Sequence, residues 1–504
     1  MSKPRVLLVK PPYKVLQGVY EPAYIPLGLA YLSAYLRSHG YETLMYNGDA
    51  CAPADITGVS EAVLYRNRRH FFSTYSHVLT TREHPVLQEY DRVLQTFRPD
   101  IIGLSVLSNE TGAAALLSER SKQQLPRVPI VWGGAHPTFQ PHNVLKHYPW
   151  VDYLVLGEGE VVFKHLCDVL GQPHDTGRLA EIRGIAFRSG NDSVITPVQP
   201  LIANLDDLPF PDFHSLAFPE RYRGLYMGNM LASRGCPYRC GFCSSRSFWR
   251  RKVRFRSYGN IIEEIRFRMQ QLTLRHFTFV DDSFTIQARV IRELAEHIIQ
   301  QKLPFFWGTM TRADLVDAGL VKLMKRANCI HLHFGIETGS PETAKQIHKD
   351  LDLDVARRSI AMVRDLGIPV GTFFIIGFPE ETEAQMNETF QYMRSIRPSR
   401  IGFNIFEPQP GASLYELLVQ KGVLDATASW ENMPMFPMAH YMLHLDAKRF
   451  RELADTMAAY VHRYNNRLAT KLQNYRVDLL RRLLHDPSFY WRKLRGYVKR
   501  RLHR

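Results

Sequence analysis

A chain of 504 residues with 45% hydrophobic content is long enough for two or three domains with buried cores, which excludes a disordered or fibrous protein. No run of eighteen apolar residues occurs, and Met1-Ser2-Lys3-Pro4-Arg5 leads straight into a short apolar strand, so the expectation is a cytoplasmic enzyme without a membrane span or secretory leader. The net charge of +15 is uneven, since residues 471–504 hold eleven Lys/Arg against Asp478 and Asp486 and contribute +9.

The apolar run Arg-Val-Leu-Leu-Val-Lys at residues 5–10 predicts a central parallel strand that ends at Pro11-Pro12. Residues 25–36 carry apolar side chains at helical spacing, with Pro26 near the start and Gly40 just past the end, and a strand over 42–46 follows. The polar, His-, Arg- and Tyr-rich stretch near 50–90 reads as an insertion. Beyond it the alternation resumes, with strands over 100–107, 128–132 and 153–156 and a small-residue helix from Thr111. Strands alternating with helices predict a doubly wound parallel sheet, in which ligands sit beyond the carboxyl ends of the strands. Those ends carry Ser105, the pair Gly133 and Gly134, and Gly157 with Glu158. Glycines there let a backbone approach a large ligand closely. A nucleotide-binding relic or a packing domain is the alternative for this half.

Residues 161–225 read as a linker with a short sheet, dense in Pro and Asp around residues 206–211. From Met230 strand-and-helix units restart. Strands over 277–280, 305–310, 331–334, 370–376 and 401–406 lead to Asp281-Asp282, Arg312, Gly335-Ile336-Glu337-Thr338, Gly377-Phe378-Pro379-Glu380 and Pro408-Gln409-Pro410-Gly411. Active residues are expected at those carboxyl ends.

The segment Gly235-Cys236-Pro237-Tyr238-Arg239-Cys240-Gly241-Phe242-Cys243 stands at the head of this half. Three thiols spaced C-x3-C-x2-C on a Gly/Pro-rich loop can each reach a different iron of a cuboidal cluster. The fourth iron then lacks a protein ligand and is open to substrate or cofactor, whereas structural metal sites are closed by four ligands. A zinc site with one histidine is the competing reading, and no His lies within ten residues after Cys243. Cys51, Cys167 and Cys329 are scattered singly, which does not make a disulfide framework. The basic residues Arg246, Arg250, Arg251, Lys252, Arg254 and Arg256 follow the loop, and a solvated face is the commoner fate of such a run.

Beyond about residue 425 the pattern becomes helical, from 447 to 484 and again after Asp486-Pro487, preceded by a Met- and Pro-rich piece over 430–441. In the last helix an aromatic and aliphatic stripe (Phe489, Tyr490, Trp491, Leu494, Tyr497) interleaves with Arg and Lys, the composition of an interfacial helix on anionic lipid. A solvated face with a core stripe is the alternative. The tail lacks a recognisable RNA-binding module, and no nucleic acid partner is expected.

The cysteine loop resembles that of the radical SAM superfamily, and residues 1–160 resemble the cobalamin-binding Rossmann-like domain that precedes many radical SAM domains. The resemblance implies an N-terminal Rossmann-like doubly wound sheet (1–160), a linker (161–225), a radical SAM partial (β/α)6 barrel (226–424) and a helical C-terminal extension (425–504). It implies a 4Fe-4S cluster on Cys236, Cys240 and Cys243 and S-adenosylmethionine on its open iron. By the same resemblance Phe242 lies near the adenine, Asp281 and Asp282 near the amino group, Arg312 and Glu337 near the ribose and carboxylate, and Gly377 and Pro379 pack on the adenine. Plainer readings stay open: a helix N-cap for Asp281 or Asp282, ion pairs of Arg312 with Asp314 and of Glu337 with Lys345, turn chemistry for Gly377. One departure concerns cobalt. No Asp-x-His-x-x-Gly follows the first strand, and Asp212-Phe213-His214 lies in the linker with Ala217 where glycine belongs, so cobalamin is expected without a histidine ligand from that motif.

The activity implied is cobalamin-dependent methylation of an unactivated carbon in a small or lipid-like substrate, drawing electrons from a donor such as flavodoxin or ferredoxin. Oxidative ring closure or rearrangement is the second reading. A non-catalytic cobalamin sensor or carrier is the third.

Overall fold

The computed structural model describes residues 3–20, 24–50, 61–172, 176–190, 192–222, 224–431 and 441–467. The N-terminal half is a seven-stranded sheet in the order β2-β1-β3-β4-β5-β6-β7, formed by β1 (Arg5–Lys10), β2 (Glu42–Asn47), β3 (Ile101–Ser105), β4 (Ile130–Gly133), β5 (Tyr153–Val155), β6 (Ile185–Ser189) and β7 (Asp192–Ile195). The first five strands are parallel, with Leu8 of β1 opposite Met45 on one side and Gly103 on the other. Val6, Leu7, Leu8 and Val9 are all fully buried, as a strand covered on both faces requires. β6 and β7 add antiparallel, so the short sheet expected near 161–225 is the far edge of this one.

The stretch expected as a polar insertion holds two helices, Glu61–Thr81 and Pro85–Phe97. The second has His84 as N-cap, Pro85 in its first turn, and Val86, Tyr90, Val93, Leu94 and Phe97 on its buried face. That periodicity was present in the sequence and was obscured by the charged residues between.

The second half is a six-stranded, all-parallel sheet in the order β15-β14-β13-β12-β11-β8. Its strands are β8 (Asn229–Met230), β11 (His276–Phe279), β12 (Phe306–Thr311), β13 (Cys329–Glu337), β14 (Val370–Ile376) and β15 (Arg400–Ile405). A short antiparallel ribbon, β9 (Ser233–Arg234) with β10 (Arg254–Phe255), flanks the cysteine loop. The order is linear, with β8 and β15 at the two edges, so the barrel is partial. The helix Ala447–Asn466 covers the β15 edge, where the Asn465 amide accepts from Ile401 N–H at 3.0 Å and donates to Ile401 O at 2.8 Å. The continuation expected to 484 and the basic tail lie outside the described residues, as does most of the Met-rich piece.

One apolar cluster runs through both halves, joining Val6 and Leu8 of β1 to Phe277 and Phe279 of β11 through Phe213, Leu216 and Tyr222 of the connecting segment. That segment follows the β2 edge, since Met45 N–H donates to Ser215 O and Ala217 N–H to Met45 O. Asp212 accepts from Ser33 Oγ, Ser215 Oγ and His214 N–H, so the Asp-x-His of the linker is a turn staple. The connection is packed into the core.

Candidate active site

The cysteine loop is fixed by its backbone. Gly235 has φ 102°, and a Cβ there would stand 2.0 Å from Lys252 O, so the turn into Cys236 admits glycine alone. Gly241 N–H donates to Ile347 O at 2.7 Å, Leu414 N–H donates to Gly241 O at 2.9 Å, and the Arg251 guanidinium donates to Pro237 O at 3.0 Å. The Phe242 ring lies 5.8 Å from Phe378 within an apolar cluster that includes Phe406 and Leu414. Arg312 stacks over the Tyr238 ring at 3.8 Å while its N–H groups donate to Asp314 and to the Lys349 and Asp350 carbonyls. The pairing of Arg312 with Asp314 anticipated from sequence is present, and the stack on Tyr238 is its contact with the cysteine loop.

Cys236, Cys240 and Cys243 are partly buried free thiols. Burial raises the pKa of all three, that of Cys243 to about 12. A bound metal ion deprotonates a coordinating thiol and offsets this cost of burial. Three thiols at this spacing on one loop fit a cluster, where each cysteine takes its own iron.

At the end of β11 two adjacent carboxylates face different partners. Asp281 is 1% exposed and accepts from Ala232 N–H at 3.1 Å and Ser233 Oγ at 2.5 Å, with its pKa raised by burial to about 6. Asp282 accepts from Ser245 Oγ at 2.6 Å. Neither caps the following turn, whose N-cap is Ser283. Glu337 sits at φ 70° on a bulge in β13 and pairs with Lys349 Nζ at 2.9 Å rather than with Lys345. Gly377, at φ 83°, donates its N–H to Glu381 Oε2 at 2.6 Å, and a Cβ on it would meet the Phe450 ring at 2.9 Å. Pro379 O accepts from Leu443 N–H at 2.8 Å.

Ser105, Gly133, Gly134, Gly157 and Glu158 come together. They line a cavity of about 300 Å3 within a cleft of roughly 1100 Å3, and Gly235, Arg234 and Asp282 form its opposite wall. Gly134, at φ 101°, leaves no room for a Cβ, which would lie 2.9 Å from Val106 O. Leu29, Leu32, Val155 and Phe163 make the remaining lining apolar. Glycine strand ends beside an apolar wall fit a large, flat ligand approached by backbone. Phe242 on the cysteine loop and Arg312, Glu337, Gly377 and Pro379 on the other strand ends lie outside this lining.

An ionic clamp closes one end of the cleft. Arg234 donates to Glu158 at 2.8 Å and to Glu160 at 2.6 Å, while Arg254 donates to Glu158 at 2.7 Å and to Ile202 O at 2.6 Å. Glu158 thus reaches across to the ribbon beside the cysteines. Arg256 is likewise buried against Glu264, Leu231 O and the Tyr31 hydroxyl. These two arginines of the basic run are therefore removed from the solvated face that the composition suggested. Sequence reasoning missed Arg234 and Lys349 as site neighbours, because their partners Glu158, Glu160 and Glu337 lie 12 to 76 residues away along the chain.

Residues 230–393 match the radical SAM superfamily and residues 75–167 the B12 binding domain. The chain is 27% identical over 459 residues to an uncharacterized methyltransferase of Pyrococcus horikoshii, covering 90% of this chain and 92% of the relative. It is 28% identical to the anaerobic magnesium-protoporphyrin IX monomethyl ester cyclase of Rubrivivax gelatinosus, covering 83% of this chain and 70% of that one. Among solved structures, the radical S-adenosylmethionine methyltransferase TsrM from Kitasatospora setae superposes with a TM-score of 0.64 at 17% identity, over 83% of this chain and 76% of its own. That likeness extends the shared fold across both halves.

Proposed function

Because this chain joins a B12-binding domain to a radical SAM domain and so belongs among the cobalamin-binding radical SAM enzymes, we propose that it methylates an unactivated carbon of a small or lipid-like molecule. The observation that carries this reading is the single cleft lined by Ser105, Gly133, Gly134 and Gly157 on one wall and by Gly235 and Asp282, neighbours of the cysteine loop, on the other. A 4Fe-4S cluster with S-adenosylmethionine supplies hydrogen abstraction from carbon, and cobalamin supplies the methyl group. The chain's own residues do the positioning. Cys236, Cys240 and Cys243 hold the cluster, and the glycine strand ends seat cobalamin by backbone contact. Asp282 is the polar group facing the cleft at the β11 end and is assigned to the amino group of S-adenosylmethionine. Asp281 holds the strand end that presents it, by accepting from Ala232 and Ser233. Phe242, Gly377 and Pro379 are assigned to the adenine, and Arg312, stacked on Tyr238, and Glu337, paired with Lys349, to the ribose and carboxylate. Leu29, Leu32 and Phe163 exclude water from the cleft, which protects a radical from quenching.

A one-electron donor of the flavodoxin or ferredoxin class and a contact of the basic tail with anionic lipid belong to the same proposal. No helix among the described residues is long and apolar enough to cross a membrane. The similarity to the protoporphyrin ester cyclase supports a second reading, oxidative ring closure.

The test is anaerobic. Protein reconstituted with iron, sulfide and hydroxocobalamin is reduced with S-adenosylmethionine and candidate substrate, and 5'-deoxyadenosine and S-adenosylhomocysteine are quantified together. Both products, lost in Cys240→Ala, are expected for methyl transfer. Deoxyadenosine alone selects the cyclase reading, and neither product from cluster-replete protein overturns both.

A further inference from the structure

Four cations of the basic run after the cysteine loop, Arg246, Arg250, Arg251 and Lys252, take no part in the clamp and do not line the cleft. All four are exposed. The turn that carries them follows the short helix Ser245–Phe248 and is closed by Arg251 N–H on Arg246 O at 3.1 Å and Lys252 N–H on Trp249 O at 2.9 Å. It is built onto the cysteine loop. The Lys252 carbonyl stands where a Cβ of Gly235 would be, and the Arg251 guanidinium donates to Pro237 O at 3.0 Å, so the turn lies against the residues on either side of Cys236. Within this segment the side chains divide, since Phe248 and Trp249 line the cleft while the cations before and after them are turned to solvent.

Arg250 and Arg251 stand at φ 52° and 59°, the left-handed region that residues with side chains rarely adopt. Two consecutive arginines thus occupy a turn that glycine or asparagine would make at lower cost. Among the described residues Arg246, Arg250 and Lys252 have no ion pair, whereas Arg254 and Arg256 of the same run are buried against Glu158 and Glu264. Arg239, on the loop itself, is shared with Asp350 at 3.2 Å and is not counted with them. Unpaired like charges on one turn repel each other, and an acidic surface laid over them removes that repulsion.

The turn is therefore a ridge of unpaired positive charge on the outer side of the loop whose cysteines are assigned to the cluster. An electron must reach that cluster from outside, and tunnelling falls steeply with distance. We propose that Arg246, Arg250 and Lys252 form the docking surface for the electron donor, and that the donor is a one-electron carrier protein with an acidic rim around its redox centre. The proposal rests on the radical reading of the cysteine loop, and adds where the donor sits and which charge it presents. In the docked pair one electron leaves the reduced carrier and enters the cluster, and no bond forms or breaks. Arg251 holds the ridge against the loop through Pro237.

The test measures binding first. Cluster-loaded protein is titrated by calorimetry with oxidised flavodoxin and with a plant-type ferredoxin, and phosphatidylglycerol vesicles are titrated in parallel. At least one carrier is expected to bind, about tenfold more weakly at ~300 mM than at ~50 mM salt. Arg250→Glu combined with Lys252→Glu is expected to weaken that binding at low salt by about tenfold or more and to slow reduction of the cluster by the carrier, while S-adenosylmethionine cleavage driven by dithionite keeps the wild-type rate. Arg246→Glu, on the helix before the turn, is expected to weaken binding severalfold and serves if the double variant loses its iron. Arg289→Glu, a charge reversal at an exposed position of the helix Ala288–Gln300, is expected to leave binding unchanged. Binding of neither carrier to wild type, or carrier binding that the ridge variants leave unchanged, overturns the docking surface. Vesicle binding lost in those variants with carrier binding intact overturns it too, and assigns the ridge to lipid. Absence of dithionite-driven S-adenosylmethionine cleavage from wild type would instead remove the parent reading, and the binding measurements do not depend on that cleavage, so the two failures are separable.

Discussion

At the scale of single residues, two kinds of position carry the site. Glycines are used where the backbone itself must pass, and Gly235 is the most demanding, with a positive φ and a carbonyl where a Cβ would stand. Gly235→Ala is expected to destabilise the protein by at least about 2 kcal/mol and to lower the iron bound after reconstitution. An iron content equal to wild type would show that the turn relaxes without cost. Carboxylates are the other kind. Sequence placed Asp281, Asp282 and Glu337 correctly at strand ends, because the rule that strands end at the site needs only the pattern of strands. What each carboxylate touches was not legible. Ser233 for Asp281, Ser245 for Asp282 and Lys349 for Glu337 are 12 to 48 residues away along the chain, and no local spacing encodes such pairings.

At the scale of elements, the loop after β14 shows how one buried acid organises a turn. Glu381 is fully buried and accepts the Gly377 and Phe378 N–H groups, and burial raises its pKa from 4.5 to about 8. The native state therefore keeps this proton to about pH 8, while the unfolded chain releases it near its ordinary value. The unfolded state binds fewer protons between those values, so this contribution to stability is present at low pH and is lost as pH rises through about 8. Wild type is expected to lose thermal stability from pH 5.5 to pH 8, and Glu381→Gln, which cannot ionise, to show a flatter profile. Parallel profiles would mean that the carboxyl is already ionised in the native state. The helices Glu61–Thr81 and Pro85–Phe97 carry another lesson of this scale. Their polar faces dominate the composition, and only the spacing of Val86, Tyr90, Val93 and Phe97 marks the face that packs.

At the scale of the whole molecule, the two halves are held by a continuous apolar cluster and by the clamp of Glu158 and Glu160 with Arg234 and Arg254. Arg234 is nearly buried, so Arg234→Ala leaves two acids facing one remaining arginine. It is expected to cost about 3 kcal/mol and to reduce the cobalamin retained per chain. Adding Glu160→Gln should restore part of the loss, because it removes the uncompensated charge. An unchanged urea midpoint in Arg234→Ala would exclude the clamp as an interdomain link. The sequence by itself determined the alternation of strands and helices in both halves and the C-x3-C-x2-C spacing of the three cysteines, because periodicity and close spacing are local properties. Only the tertiary structure decided that strand ends more than a hundred residues apart share one cleft and that Arg254 and Arg256 are buried against Glu158 and Glu264. Burial and ion pairing depend on which segments meet in space, and the packing of the two sheets against each other sets those meetings.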